Sequence, residues 1–250
     1  VEVEVHFRPS FLFCFRHNRR LQGYYERVMD EQFAHRVKLG GQGEVAVPKA
    51  EFNLIFQLTH IFTHLMNEGI GLRQLLDYFF LLKNTDFIGN TDGGASFANT
   101  NFTDNTDKVG GNVDGDGFLL NTDFTDNTNR IGGNADGVDR RLLQDELRRL
   151  GLWEFAGAVM YIMKEVLGLE DNRLIVPPDV KRGRLVLKEV LEAGNFGQYD
   201  KRNCFGHSAL GHNLQRLYRD MRLVRFFPAE ALSEPFFRIW HFFWRKRIVR

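Results

Sequence analysis

The chain has 250 residues, 43% of them hydrophobic, with 33 basic against 32 acidic side chains and a formal net charge of +1. That is enough to bury a core in one or two domains, and the balanced charge excludes a protein that grips nucleic acid through a general excess of cations. Apolar runs stop short of the ~18 residues needed to cross a bilayer, Cys14 and Cys204 give no disulfide framework, and no basic-then-apolar leader opens the chain, so a cytoplasmic protein is expected.

The first stretch, Val1-Glu2-Val3-Glu4-Val5-His6-Phe7, alternates strictly and puts Glu2, Glu4 and His6 on one face of a strand. Two readings stand: an exposed edge with ordinary surface charge, or a strand lending a carboxylate to a metal site. A strand that starts at residue 1 without a partner before it is marginal alone, so the chain reads as the C-terminal part of something longer. From His17 to Phe33 the spacing predicts an amphipathic helix with Tyr24, Val28 and Phe33 inward and Arg19, Arg20, Arg27 and Asp30 outward. Ala34 to Leu39 and Glu44 to Val47 read as a hairpin around Gly40-Gly41-Gln42-Gly43, ending at Pro48. Residues 1–48 form the first unit.

Residues 49–83 read as a helical hairpin. Its first helix, to Asn67, is apolar over much of its girth but carries His60 and His64 on one face; its second runs from Leu72 to Leu82 and carries Arg73 and Asp77. Either these four polar groups satisfy one another, or the His-x-x-x-His pair ligates zinc; against zinc, Ile61 stands where the usual catalytic Glu would follow the first histidine.

Residues 84–138 are dominated by Asn, Asp, Thr and Gly and repeat themselves. Asn99 to Gly115 recurs as Asn121 to Gly137, twelve of seventeen positions being identical, which marks a recent tandem duplication. Asn112, Asp114, Asp116 and Gly117 fit the first half of a calcium loop, but Asp123 holds the twelfth position and the second copy loses the pattern. Such a composition buries too little apolar surface to offset its chain entropy, so a flexible inserted excursion is expected.

Residues 139–250 read as a helical domain. Leu142, Leu143, Leu147 and Leu150 form a stripe closed by Gly151, and Trp153 to Leu167 a more apolar helix closed by Gly168. A helix over Arg182 to Glu192 stops at Gly194-Asn195-Phe196-Gly197, another spans Ser208 to Phe227 before Pro228, and the last runs from Glu234 to Arg247. That last helix places Phe236, Phe237, Trp240, Phe243 and Trp244 on one face, followed by Arg245-Lys246-Arg247. The stripe fits core packing with a solvated tail, or contact with a partner or an anionic membrane surface.

Val3-Glu4-Val5-His6-Phe7, then His60 and His64 with Gly71-Leu72-Arg73-Gln74-Leu75-Leu76-Asp77, then Gly194-Asn195-Phe196-Gly197, together resemble a bacterial family of uncharacterised nucleotidyltransferases, with a polymerase-β-like domain followed by helices. The resemblance is taken to cover nearly all of the chain outside residues 84–137 and to match the family's C-terminal portion. It implies transfer of a nucleoside monophosphate from a nucleoside triphosphate to an unknown acceptor, with Mg2+ as cofactor. Glu4 then takes the part of the third metal-binding carboxylate, and His6, His60, His64, Arg73, Asp77 and Asn195 are candidate substrate contacts. The chain departs from the family in having no Gly-Ser turn followed by Asp-x-Asp; its Asp114-Gly115-Asp116 belongs to the repeat. The polypeptide alone is therefore expected to be inactive. The fold class expected is α+β, mainly helical, with a short N-terminal strand and hairpin before a helical bundle. The rival functions are a non-catalytic helical interaction module and a calcium-binding repeat protein.

Overall fold

The computed structural model describes residues 8–41, 43–88, 137–193 and 209–248. The Glu4 strand, the calcium-like loop and the Gly194 to Gly197 turn lie outside the described residues. What is described is mostly helical, with one antiparallel hairpin, as the sequence pattern predicts.

After an irregular segment from Arg8, α1 (Phe15–Ala34) buries Leu21, Tyr24 and Tyr25. Phe33 departs from its expected place and is 63% exposed. The inward stripe steps by four from Tyr24 through Val28 to Gln32, whose amide donates to the Val28 carbonyl at 3.3 Å and accepts the Lys49 N–H at 2.7 Å; Phe33 lies one residue, or about 100°, further round. β1 (Arg36–Leu39) and β2 (Gly43–Ala46) pair antiparallel, with Arg36 opposite Ala46 and Leu39 opposite Gly43. Gly41 and Gly43 carry the positive φ angles of 79° and 100° that the turn needs.

α2 (Ala50–Asn67) is the central helix. It buries Phe52, Leu54, Ile55, Leu58, Ile61, Phe62 and Leu65 and packs against α3 (Leu72–Asn84). β3 (Phe87–Ile88) and β4 (Val138–Asp139) form a short parallel pair, Phe87 opposite Val138, so the chain on either side of the repeat meets at one place. Asp139 then caps α4 (Arg140–Leu150), its Oδ1 accepting the Arg141 and Leu142 N–H groups at 2.8 and 3.2 Å. Leu143, Leu147 and Leu150 are buried at helical spacing, whereas Leu142, expected beside them, sits on the neighbouring face and is exposed.

α5 (Trp153–Glu165) buries nearly every apolar side chain it has. The rings of Phe62 and Phe155 stack 4.3 Å apart, and Phe227 meets both edge-on at 5.2 and 5.8 Å. α6 (Val180–Ala193) lies along α5, and Gly183 lets it close onto Tyr161: a Cβ at 183 would fall 2.5 Å from that ring's Cγ. α7 (Ala209–Leu223) and α8 (Pro228–Ile248) finish the chain. Pro228 opens α8 instead of merely ending its predecessor, because a proline at the first helical position forfeits no hydrogen bond. The ring stripe of α8 is not core: Phe236 is 69% and Phe243 60% exposed, and of the stripe only Phe237 packs on the interior. α8 turns Glu234 inward, where it accepts from Arg238 at 2.7 Å, and this leaves most of the rings outside.

Candidate functional site

The segment Arg8 to Phe13, the first turns of α1 and the middle of α8 enclose an open groove of about 1020 Å³. Much of its lining is aromatic. Phe11 stacks on Phe237 at 5.3 Å and 6°, Phe13 stands edge-on to both at 5.5 and 5.7 Å, and Trp240 stacks on Trp244 at 6.2 Å. Arg8, Arg19, Arg216 and Arg238 line the groove as well. Gln22 organises the mouth: its amide donates to the Ser10 carbonyl at 2.9 Å and to Asn18 Oδ1 at 3.1 Å, and its oxygen accepts from Arg8 at 2.7 Å. Flat π faces and guanidinium groups side by side suit a ligand with an aromatic ring at one end and anionic oxygens at the other.

Behind the groove, between α7 and α8, two carboxyl groups are buried together. Asp220 and Glu234 are 4% and 1% exposed, and among the described residues neither Asp220 carboxyl oxygen accepts a bond from an N–H donor. Burial, and next the negative charge of Glu234, push the Asp220 carboxyl up from its ordinary value near 3.8 to about 8, so at neutral pH it holds its proton.

On the far side of the α1 start lies a second cluster. Buried Glu230, in the first turn of α8, accepts the Phe13 and Cys14 N–H groups through Oε2 at 2.7 and 2.9 Å, and its Oε1 lies 2.7 Å from His17 Nδ1. His17 and Glu230 line a cavity of about 430 Å³ together with Arg148 and Arg182. Arg148 lies over the Trp153 ring at 3.8 Å, and Arg182 pairs with Asp179 at 2.7 Å.

Of the residues singled out from sequence, Glu4, His6 and Asn195 lie outside the described residues. His60 and His64 are brought together, Nε2 to Nε2 at 3.0 Å, at the end of a ring ladder in which Phe52, Phe56 and His60 stack in turn. Arg73 and Asp77 are exposed on α3. Sequence reasoning missed the Glu230 cluster, whose members stand more than 200 positions apart with no local pattern to join them. The arginine-rich helix that carries Arg216 was readable as a phosphate contact offset by Asp220, but nothing in the sequence joined it to Arg8, Arg19 and the rings at 237, 240 and 244.

These helices and this groove define a mainly helical protein with an aromatic and cationic groove. Residues 1–92 match the model of a family described as uncharacterised nucleotidyltransferase. No curated protein and no solved structure matches the chain. The match corrects the extent expected from sequence: it lies in the N-terminal part of the chain and leaves out residues 139–250. The reading of the whole chain as the family's C-terminal portion is set aside. Its third motif, Gly194-Asn195-Phe196-Gly197, is a short glycine-bounded sequence of low specificity that lies outside the described residues. No described helix is long and apolar enough to cross a membrane.

Proposed function

We propose that the chain serves nucleotidyl transfer by receiving a nucleoside triphosphate in the groove headed by Arg8. The observation that carries this reading is that the matched residues 1–92 include both Glu4 and the groove wall from Arg8 to Glu26. Rings at Phe11, Trp240 and Trp244 offer stacking faces to a base, worth about 1–3 kcal/mol per stacked base. Arg8, Arg19 and Arg216 offer charge-assisted hydrogen bonds to phosphate oxygens.

The described groove does not by itself make a cage for Mg2+. Its carboxylates are Glu26, 3.5 Å from Arg8, and Glu234, paired with Arg238, so each already faces a guanidinium. Glu4, four residues before Arg8, is the residue proposed for a metal contact. The sequence holds no Gly-Ser turn with Asp-x-Asp outside the repeat, so the chain alone is expected to bind nucleotide without turning it over.

Two of the three tryptophans line the groove, so their fluorescence reports on it. Saturable quenching by ATP or another nucleoside triphosphate is expected for the full chain, weakened about tenfold or more in the Arg8→Ala, Arg19→Ala double variant. Glu4→Gln should remove only the part of the affinity that depends on Mg2+. Absence of quenching by all four nucleoside triphosphates at millimolar concentration would end this reading.

A second reading, a non-catalytic interaction module, draws on the outer face of α8. Phe236, Ile239, Phe242 and Phe243 are exposed there beside Leu214 and Leu217 of α7. Light scattering that finds a dimer, or vesicle flotation that finds membrane-surface contact, would favour it.

A further inference from the structure

We propose that Cys14, His17 and Glu230 form a binding site for a divalent cation of the zinc kind, and that the ion ties the start of α8 to the start of α1. This rests on a different part of the molecule from the nucleotide groove and stands or falls without it. A sulfur, an imidazole nitrogen and a carboxylate oxygen lie within 4.8 Å of one another, a mixed donor set that suits zinc far better than magnesium or calcium.

Two of the three donors are already oriented. Backbone N–H groups of Phe13 and Cys14 hold Glu230 Oε2 and leave Oε1 turned to His17, the kind of outer support that metal-binding carboxylates have. The His17 ring rests over Gly151, whose φ is +75°; a Cβ there would overlap the imidazole, so the close seat of the ring depends on that glycine. A helix cap alone would need the carboxylate and neither the thiol nor the imidazole.

Zinc bonds of ~2.0–2.3 Å in a tetrahedron set neighbouring ligand atoms about 3.3–3.8 Å apart. The His17 and Glu230 atoms, now 2.7 Å apart across a shared proton, must open by roughly half an ångström. The half-buried Cys14 thiol closes the remaining distance by side-chain rotation. The ion takes the place of the proton between His17 Nδ1 and Glu230 Oε1, the neutral ring then carrying its proton on Nε2, and displaces the Cys14 thiol proton. Binding therefore releases the thiol proton to solvent and weakens in acid. His17 and Glu230 also face the 430 Å³ cavity, from which water can supply the fourth ligand.

Cobalt(II) titration of the full chain, in a Cys204→Ser background that leaves Cys14 as the sole thiol, is the test. The expected result is one equivalent bound, with a near-ultraviolet thiolate-to-cobalt charge-transfer band that zinc abolishes by displacement. Cys14→Ser should remove the band and His17→Ala should weaken binding at least tenfold, with the circular dichroism of both unchanged. Glu230 holds two backbone N–H groups and its replacement can unfold the protein, so Cys14→Ser carries the test. No charge-transfer band, or a dissociation constant in the millimolar range, overturns the proposal.

Discussion

Asp220 shows how a single buried group makes stability depend on pH. In the folded chain its carboxyl keeps the proton up to about pH 8, because burial and Glu234 oppose a second negative charge; in the unfolded chain the proton leaves near the ordinary value of 3.8. Between those values the folded state binds more protons than the unfolded state, so the contribution of this group to stability is greatest below about pH 4 and is lost as pH rises through 8. Asn keeps the shape, can donate to Glu234 and cannot titrate. Asp220→Asn should match the wild type near pH 4 and melt several degrees higher at pH 8 to 9, as read by thermal denaturation across pH. A melting difference that does not change with pH would mean that Asp220 is already ionised in the folded chain. None of this was legible in the sequence, where nothing local links Asp220 to Glu234 on the next helix. Only the packing of α7 on α8 brings it to Glu234.

At the scale of elements, periodicity did well where one face alone is buried and failed where neighbours decide. The hairpin, α2, α3 and the capped α4 were readable because their glycines, caps and apolar spacing act locally. Phe33 and Leu142 were misplaced by one residue on their helices, an error of about 100° that only the neighbouring elements resolve. The rings of α8 were open to two readings because a stripe of Phe and Trp fits a core as well as an exposed face. The α5–α6 contact was invisible for another reason: Gly183 looks like a weak point in a helix until Tyr161 is seen against it. Gly183→Ala gains ~1 kcal/mol of helix propensity. The new methyl, however, would lie 2.5 Å from Tyr161 Cβ, near the backbone, where no flexible side-chain end can give way. Overpacking of that kind costs about 1–3 kcal/mol, and the close approach puts this site at the upper end. A net loss of 1–2 kcal/mol is expected, or a fall in Tm of roughly 2–8 °C at this chain length. An unchanged or raised Tm would show that the two helices can part at little cost.

For the whole molecule, the question is how much of the chain the fold needs. β3 and β4 bracket the repeat and pair directly, with the Val138 N–H donating to the Asp86 carbonyl at 2.8 Å. The two sides of the repeat are thus held together by contacts that do not include it, and Arg173 adds a bond to the Thr85 carbonyl at 2.6 Å from the α5–α6 connection. The repeat sequence has few side chains able to form a core. Loop-closure entropy grows as about (3/2)RT ln n, so replacing residues 89–136 by a linker of about eight residues should favour folding by ~1.6 kcal/mol if the repeat packs on nothing. Eight extended residues span up to ~28 Å, ample for the ends of a two-residue parallel pair. The shortened chain should therefore keep its helical circular dichroism and melt at the same temperature as the full chain or a few degrees above it. Were it instead to melt more than about 5 °C lower, the deleted stretch would have to supply more than ~1 kcal/mol of packing beyond its closure cost. It would then count as part of the domain and not as an excursion from it.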